Sequence, residues 1–244
     1  MPSTSSEEDA RNWAEAEALR KAGQWARAGR YFHNSLKERP IAGAAWRYAF
    51  CLRKAGYPEA ALAMCQRAVD RWPDEKAVRW ELVWCLYAAR LRPAQEREDE
   101  EGVLQAAREM VRAGAEELPL QLAVFASVGA AKRKGHWGEV SGWCDRLDPL
   151  QLSAEPNRFE GRRIPSMRER WYYAKLKALV HLEEWEPGRV VARQAREQFP
   201  TSLDFRRWEA ACLAGLGEVE AAVGLLEPHR AERRKQWYVL SDLA

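Results

Sequence analysis

The sequence predicts an all-α chain built as an array of helical hairpins, and three observations carry that expectation. The pentapeptide Leu-Arg-Lys-Ala-Gly occurs twice, ending at Gly23 and again at Gly56, 33 residues later. The same offset carries Ala16 to Ala49, Ala28 to Ala61 and Pro40 to Pro73. Repeat periods of this size belong to stacked helix-turn-helix units, each of which can bury its apolar face only against its neighbours.

The elements follow in order. Ser6 and Asp9 stand at capping-box spacing, so a first helix is expected near Asp9, ending at Gly23. A second helix runs from about Trp25 to Arg39 and stops at Pro40, with Ala28 and Phe32 on one face. Ala61, Cys65 and Pro73 repeat that spacing, Gly188, Ala192 and Pro200 keep it, and Val140-Cys144 and Ala222-Leu226 keep its first pair. Gly135 and Gly217 stand at the turn where Gly23 and Gly56 do.

Two stretches interrupt the period. The run Arg90–Glu101 combines Pro93 with a charge cluster that opposes a packed helix, and it is expected to lengthen a connection. The stretch 150–165 is expected to be an inserted loop, after which Ser166 and Glu169 cap a new helix.

The Ala28-Phe32-Pro40 and Ala61-Cys65-Pro73 spacings resemble the second half of a tetratricopeptide repeat. The resemblance implies a right-handed superhelical solenoid of tetratricopeptide-like helical hairpins. Residues 1–8 are then a disordered segment and 9–244 a single array. Its units lie near 9–41, 42–75, 76–119, 121–149, 169–201 and 203–233, with a half-unit over 234–244. Trp237, Tyr238, Leu240 and Leu243 make that half-unit apolar and a candidate for association with another chain or with further sequence.

Composition bounds the function. The formal charge of +3 is too mild to establish a nucleic-acid partner. The five cysteines form no C-x-x-C pair, and the four histidines have no partner at ligand spacing, so neither a disulfide framework nor a metal site is expected. No apolar run approaches the ~20 residues that span a bilayer, and the N-terminus does not read as a signal peptide. A cytoplasmic protein without membrane contact is expected. Phosphate-binding and nucleophile motifs, which need glycine-rich turns beside strands, are absent, and the expectation is a non-enzymatic protein with no cofactor.

The 12 tryptophans need a reason. With the units aligned by their turns and Pro stops, the fifth residue of each first helix is Trp13, Trp46, Trp80, Phe125 and Tyr173, and Phe50 and Trp84 fall at the ninth. Aromatics at helical spacing can simply fill the interface between units. In the family that the chain resembles, the fifth, sixth and ninth residues of the first helix face the concave groove, which implies an aromatic stripe there. Ala16, Leu19, Ala49, Leu52, Leu82 and Leu86 already supply the core-facing slots. Basic pairs end the first helices at Arg20-Lys21, Arg53-Lys54 and Lys132-Arg133. Cations there complement the helix dipole, or they form a lip beside the stripe.

The resemblance therefore implies an adaptor or scaffold that binds a protein or peptide segment, acidic ones included, in an aromatic groove with basic edges. Two alternatives are a module for single-stranded RNA and the recognition part of a larger bacterial multidomain or defence-type complex. The family's carboxylate clamp for chaperone tails is not matched, because its positions hold Trp13, Glu17, Arg47, Ala77 and Glu81.

Overall fold

The computed structural model describes residues 4–229, with side chains described for 11–228. The chain divides into two compact units between Ala130 and Ala131. The first contains α1 (Thr4–Lys21), α2 (Trp25–Glu38), α3 (Ala42–Lys54), α4 (Pro58–Arg71), α5 (Lys76–Leu86), α6 (Arg92–Glu96), α7 (Glu100–Arg112) and most of α8 (Glu117–Arg133).

The two Leu-Arg-Lys-Ala-Gly copies make the same turn. Gly23 and Gly56 take φ values of 76° and 91°, a left-handed conformation that a Cβ would oppose. The amides that follow reach back to the helix, from Gln24 N to Leu19 O and from Tyr57 N to Leu52 O, both at 2.9 Å. The chain thus reverses and lays each second helix against its first. Ala28 and Phe32 of α2 are buried with Ala16, Leu19 and Cys51, and Trp13, Tyr31, Tyr48 and Phe50 pack around them. Of the expected core slots, Ala16, Leu19, Ala49 and Leu86 are buried, whereas Leu52 and Leu82 are half-buried.

A small residue stands where each first helix meets the preceding second helix. Cys51 lies against Gly29, whose place a Cβ would occupy only 3.3 Å from the Cys51 Cβ. Cys85 lies against Cys65 with the sulfurs 3.8 Å apart. All five cysteines are free and buried.

Three expectations are corrected in this unit. Helix α1 begins at Thr4, so residues 4–8 are helical and Ser6 lies inside the helix. The reason is visible in the sequence, since no Gly or Pro interrupts Thr4–Lys21. The run Arg90–Glu101 is not a lengthened loop. A π-turn (Tyr87–Leu91) carries α5 directly into α6 and brings Pro93 into its first turn, the widened turn accommodating the missing N–H. Leu91 and Ala94 are buried while Arg90, Arg92 and Glu96 face solvent, so the charges occupy one side of a packed helix. The break comes only at Arg97–Asp99, after which the Asp99 carboxylate accepts the Gly102 amide at 2.9 Å and caps α7. Finally, α8 starts at Glu117, ahead of the expected Gln121.

The second unit holds α9 (Trp137–Cys144), a short 3-10 turn (Pro149–Gln151), β1 (Asn157–Phe159), β2 (Arg162–Ile164), α10 (Met167–His181), α11 (Trp185–Gln198), α12 (Leu203–Gly215) and α13 (Val219–Leu226). Strands β1 and β2 pair antiparallel, Phe159 opposite Arg162, around a two-residue Glu160-Gly161 turn. The stretch 150–165 therefore contains a hairpin where no strand was expected. A two-residue turn ending in Gly is the strongest short hairpin signal, and it outweighs the polar composition. Arg163 ties the hairpin to Glu169 at 2.7 Å. The Arg168 guanidinium donates to the Leu150 and Leu152 carbonyls.

The expected cap of α10 is present. The Ser166 hydroxyl accepts the Glu169 amide at 3.1 Å, and the Glu169 carboxylate accepts the Ser166 amide at 2.8 Å. Tyr172, Leu176 and Leu179 of α10 and Phe205 of α12 form the buried centre. Gly188 of α11 meets Cys212 of α12 so closely that an added Cβ would lie 2.7 Å from the Cys212 sulfur. The expected half-unit over 234–244, with Trp237, Tyr238, Leu240 and Leu243, lies outside the described residues. Among the described residues no helix is long and apolar enough to cross a membrane, and no group of three His, Cys, Asp or Glu side chains is placed to hold a metal ion.

Candidate functional site

Helices α3 and α5 enclose a cleft of about 420 Å³, lined by Trp46, Phe50, Arg53 and Lys54 on one side and Ala77, Trp80, Glu81 and Trp84 on the other. The spacing explains the grouping, because residues three and four apart share a helix face. Trp80 is 38% exposed, and its ring meets that of Trp84 edge-on at 6.4 Å.

Rings and guanidinium groups alternate across this surface. Arg47 lies between Trp13 at 5.0 Å and Trp46 at 4.1 Å. Arg20 lies between Trp46 at 5.9 Å and Phe50 at 5.5 Å. Arg53 lies between Phe50 at 5.3 Å and Trp84 at 5.8 Å. All six distances fall within the ~6 Å over which a ring quadrupole attracts a cation. The ladder Trp13–Arg47–Trp46–Arg20–Phe50–Arg53–Trp84 thus runs from α1 across α3 to α5.

Two carboxylates offset part of its charge. Glu17 accepts from Arg20 at 2.8 Å and from Arg47 at 2.5 Å. The hydrogen bond from Arg20, above all, holds the Glu17 carboxyl below its ordinary value, against a smaller opposing effect of burial. Glu81 accepts a two-point fork from Arg53 at 2.7 and 3.0 Å. Burial pushes the Glu81 carboxyl up, and the fork from Arg53 pulls it back. Arg53 itself is raised, its bonds to Glu81 overcoming the lowering effect of burial. The fork marks Glu81 as the charged carboxylate, since two parallel N–H···O bonds are the geometry of guanidinium with carboxylate.

The site residues expected from sequence therefore separate. Trp46, Phe50, Trp80, Trp84, Arg53 and Lys54 meet in one cleft. Trp13 is half-buried and packs edge-on against Phe32 at 5.3 Å, so it belongs largely to the core between α1 and α2. Arg20 and Arg53 are engaged by Glu17 and Glu81. Lys54 is exposed with its ammonium 5.8 Å from the Phe50 ring, and Lys21 is exposed. Phe125 is half-buried on α8. Lys132 and Arg133 belong to the second unit and are exposed.

Tyr173 also belongs to the second unit, where it lines a separate cleft of about 800 Å³ with Trp185, Trp208, Ala211, Val219 and Leu226, among others. Its hydroxyl donates to Asp204 at 2.9 Å and its ring stacks on Phe205 at 4.8 Å. Burial, then the bond to Asp204, pushes the phenol up to about 12. Trp185 and Trp208 stand outside the sequence-based series, because Trp185 opens a second helix and Trp208 is the sixth, not the fifth, residue of its first helix.

The first unit is thus an array of helical hairpins that presents an aromatic cleft whose guanidinium groups are paired with carboxylates of the same unit. No protein-family model matches the chain, and no curated protein does. Solved structures that are similar include tetratricopeptide repeat proteins. One is from Parabacteroides merdae, at 10% identity over 92% of this chain and 79% of that one, with a TM-score of 0.45. Another is YrrB, described as a tetratricopeptide protein with an unusual peptide-binding site, at 13% identity over 86% and 96% of the two chains, with a TM-score of 0.49. A third is PilW, a type IV pilus biogenesis factor, at 11% identity over 97% and 98%, with a TM-score of 0.45. The fold assignment rests on the chain's own hairpins and its 33-residue period.

Proposed function

We propose that the chain is a protein-interaction adaptor whose first unit binds a segment of a partner protein in the cleft between α3 and α5. The observation that carries this reading is the grouping of Trp46, Phe50, Trp80 and Trp84 around one solvent-open cleft. Large aromatics kept half-exposed in a cluster are what an interface uses, because each offers much apolar area for few rotatable bonds. The partner supplies an apolar side chain to the rings and an acidic residue to Lys54, the lip cation whose ammonium reaches toward Phe50. The pairing of Arg20, Arg47 and Arg53 with Glu17 and Glu81 favours a peptide over an RNA strand, whose phosphates would compete with carboxylates already in place.

Selection of a displayed random peptide library on the full chain tests this. The expected motif is an apolar anchor flanked by Asp or Glu. Trp80→Ala is expected to weaken the selected peptide by about 30-fold, the equivalent of a ~2 kcal/mol hot spot, with the helical circular dichroism unchanged. Failure to enrich any motif, or a motif indifferent to Trp80→Ala, removes the reading.

A further inference from the structure

Beneath the cleft, α4 and α5 bring two thiols together. The Cys85 sulfur lies 3.8 Å from that of Cys65. It also lies 3.6 Å from Oε1 of Glu81, the oxygen to which Arg53 Nε donates. The other cysteines stand differently. Burial, the dominant cause in each, pushes Cys51 and Cys212 up to about 11 and Cys144 up to about 12. One backbone feature adds to this. The π-turn Tyr87–Leu91 begins two residues after Cys85. Such turns loosen the helical ladder and recur at functional positions.

We propose that Cys65 and Cys85 are an oxidative modification site, a dithiol that peroxide converts to a disulfide and that thereby regulates the cleft above it. This rests on the reading of the cleft as the binding site. The sulfurs must close from 3.8 Å to a bond length of about 2.05 Å. Both thiols are fully buried, and the π-turn is where the C-terminal end of α5 gives way, both to admit peroxide and to absorb that movement. Trp80, Glu81 and Trp84 ride on the same helix, so they shift relative to Trp46 and Phe50 on α3. The Cys85 S–H contact to Glu81 is lost at the same time.

The chemistry balances with hydrogen peroxide as oxidant. The Cys65 sulfur attacks one peroxide oxygen, the O–O bond breaks, and Cys65 sulfenic acid and one water result. The Cys85 sulfur then attacks the Cys65 sulfur and displaces hydroxide, which takes the Cys85 proton and leaves as the second water. Both S–H bonds are lost, one S–S bond forms and the peroxide is reduced by two electrons. The Cys85 thiol is raised by its hydrogen bond to Cys65 and by burial, which keeps it protonated and leaves the first attack on peroxide to Cys65.

The test uses the full chain carrying fluorotryptophan, treated with hydrogen peroxide and mapped by mass spectrometry without reduction. The expected product is one intramolecular Cys65–Cys85 link, reversed by dithiothreitol. The fluorine resonances of Trp80 and Trp84, assigned with Trp80→Phe and Trp84→Phe, are expected to shift on oxidation. No shift is expected in Cys65→Ala or in Cys85→Ser, and either variant alone serves if the other fails to fold. Free thiols after peroxide, a link through Cys51, Cys144 or Cys212, or a Cys65–Cys85 link that leaves both resonances in place would each overturn the proposal. None of these readouts needs a partner. A failed peptide selection with shifted resonances therefore condemns the binding reading and not the dithiol.

Discussion

Arg53 and Glu81 face each other from α3 and α5 through two hydrogen bonds, with 12% and 3% of their side chains exposed. The pair joins two consecutive hairpins and forms the floor of the aromatic cleft. It also converts a residue expected to meet a partner into one that meets its own chain. Cations at the C-terminal end of a helix complement the dipole, and Arg53 stands there. Its guanidinium nonetheless turns inward, because Glu81 offers a carboxylate that burial leaves short of water.

Removing one member of this pair should cost more than removing both. Arg53→Ala leaves Glu81 buried without its counter-charge, and a loss of about 3–5 kcal/mol in unfolding free energy is expected. The double change Arg53→Met with Glu81→Leu replaces the pair by apolar groups and is expected to fall within about 1 kcal/mol of the wild type or above it. Urea denaturation of the three chains measures both. Equal losses for single and double variants would show that leaving Glu81 without its counter-charge carries no extra cost.

Trp80 and Phe32 should separate interface from core. Phe32 is fully buried, and Phe32→Ala is expected to cost about 3–5 kcal/mol. Trp80→Ala removes a ring that is already open to water, and less than about 1 kcal/mol is expected. A large loss for Trp80→Ala in thermal melts would return the ring to the packing between hairpins.

The Glu17 carboxyl gives the acid side of the stability curve a slope. Its folded value is depressed below 4.5, chiefly by the bond from Arg20. Its contribution is therefore present above the unfolded value and is lost as pH falls through the folded one. Between pH 5 and pH 3, roughly the range around a carboxyl's ordinary value, the melting temperature of Glu17→Gln is expected to fall less steeply than that of the wild type. Parallel curves would show that Arg20 and Arg47 do not stabilise the charged form.

The turn between α10 and α11 carries a misfit that one substitution should relieve. Glu183 N reaches Val180 O at 3.1 Å and Glu184 N reaches Leu179 O at 2.9 Å, as in the Gly23 and Gly56 turns. Glu183 therefore takes φ 56° in the glycine position, at a cost of about 1 kcal/mol for a residue with a Cβ. Glu183→Gly is expected to raise stability by up to about 1 kcal/mol, less the entropy that glycine adds to the unfolded chain. A destabilised variant in the same denaturation experiment would show that the Glu183 side chain does more than occupy the turn.

Local rules made much of the hairpin architecture legible from sequence alone. The 33-residue offset, the Gly23 and Gly56 turns, the Pro40 stop and the Ser166-Glu169 cap each depend on residues close in sequence, where spacing alone sets which groups can meet. The same reading placed Trp46, Phe50, Trp80 and Trp84 on two helix faces that meet in one cleft. Only tertiary structure decided which charges stay available to a partner. Arg47 finds Glu17 across 30 residues and Arg53 finds Glu81 across 28, and no periodicity reports a carboxylate arriving from another helix. Burial likewise decided that the chain stays helical through Glu96, since Leu91 and Ala94 are packed inside and the π-turn accommodates Pro93. The sequence determined the units and the faces that they present. Packing between units determined which side chains each face keeps for itself, because a desolvated ion pair forms wherever the fold brings opposite charges together.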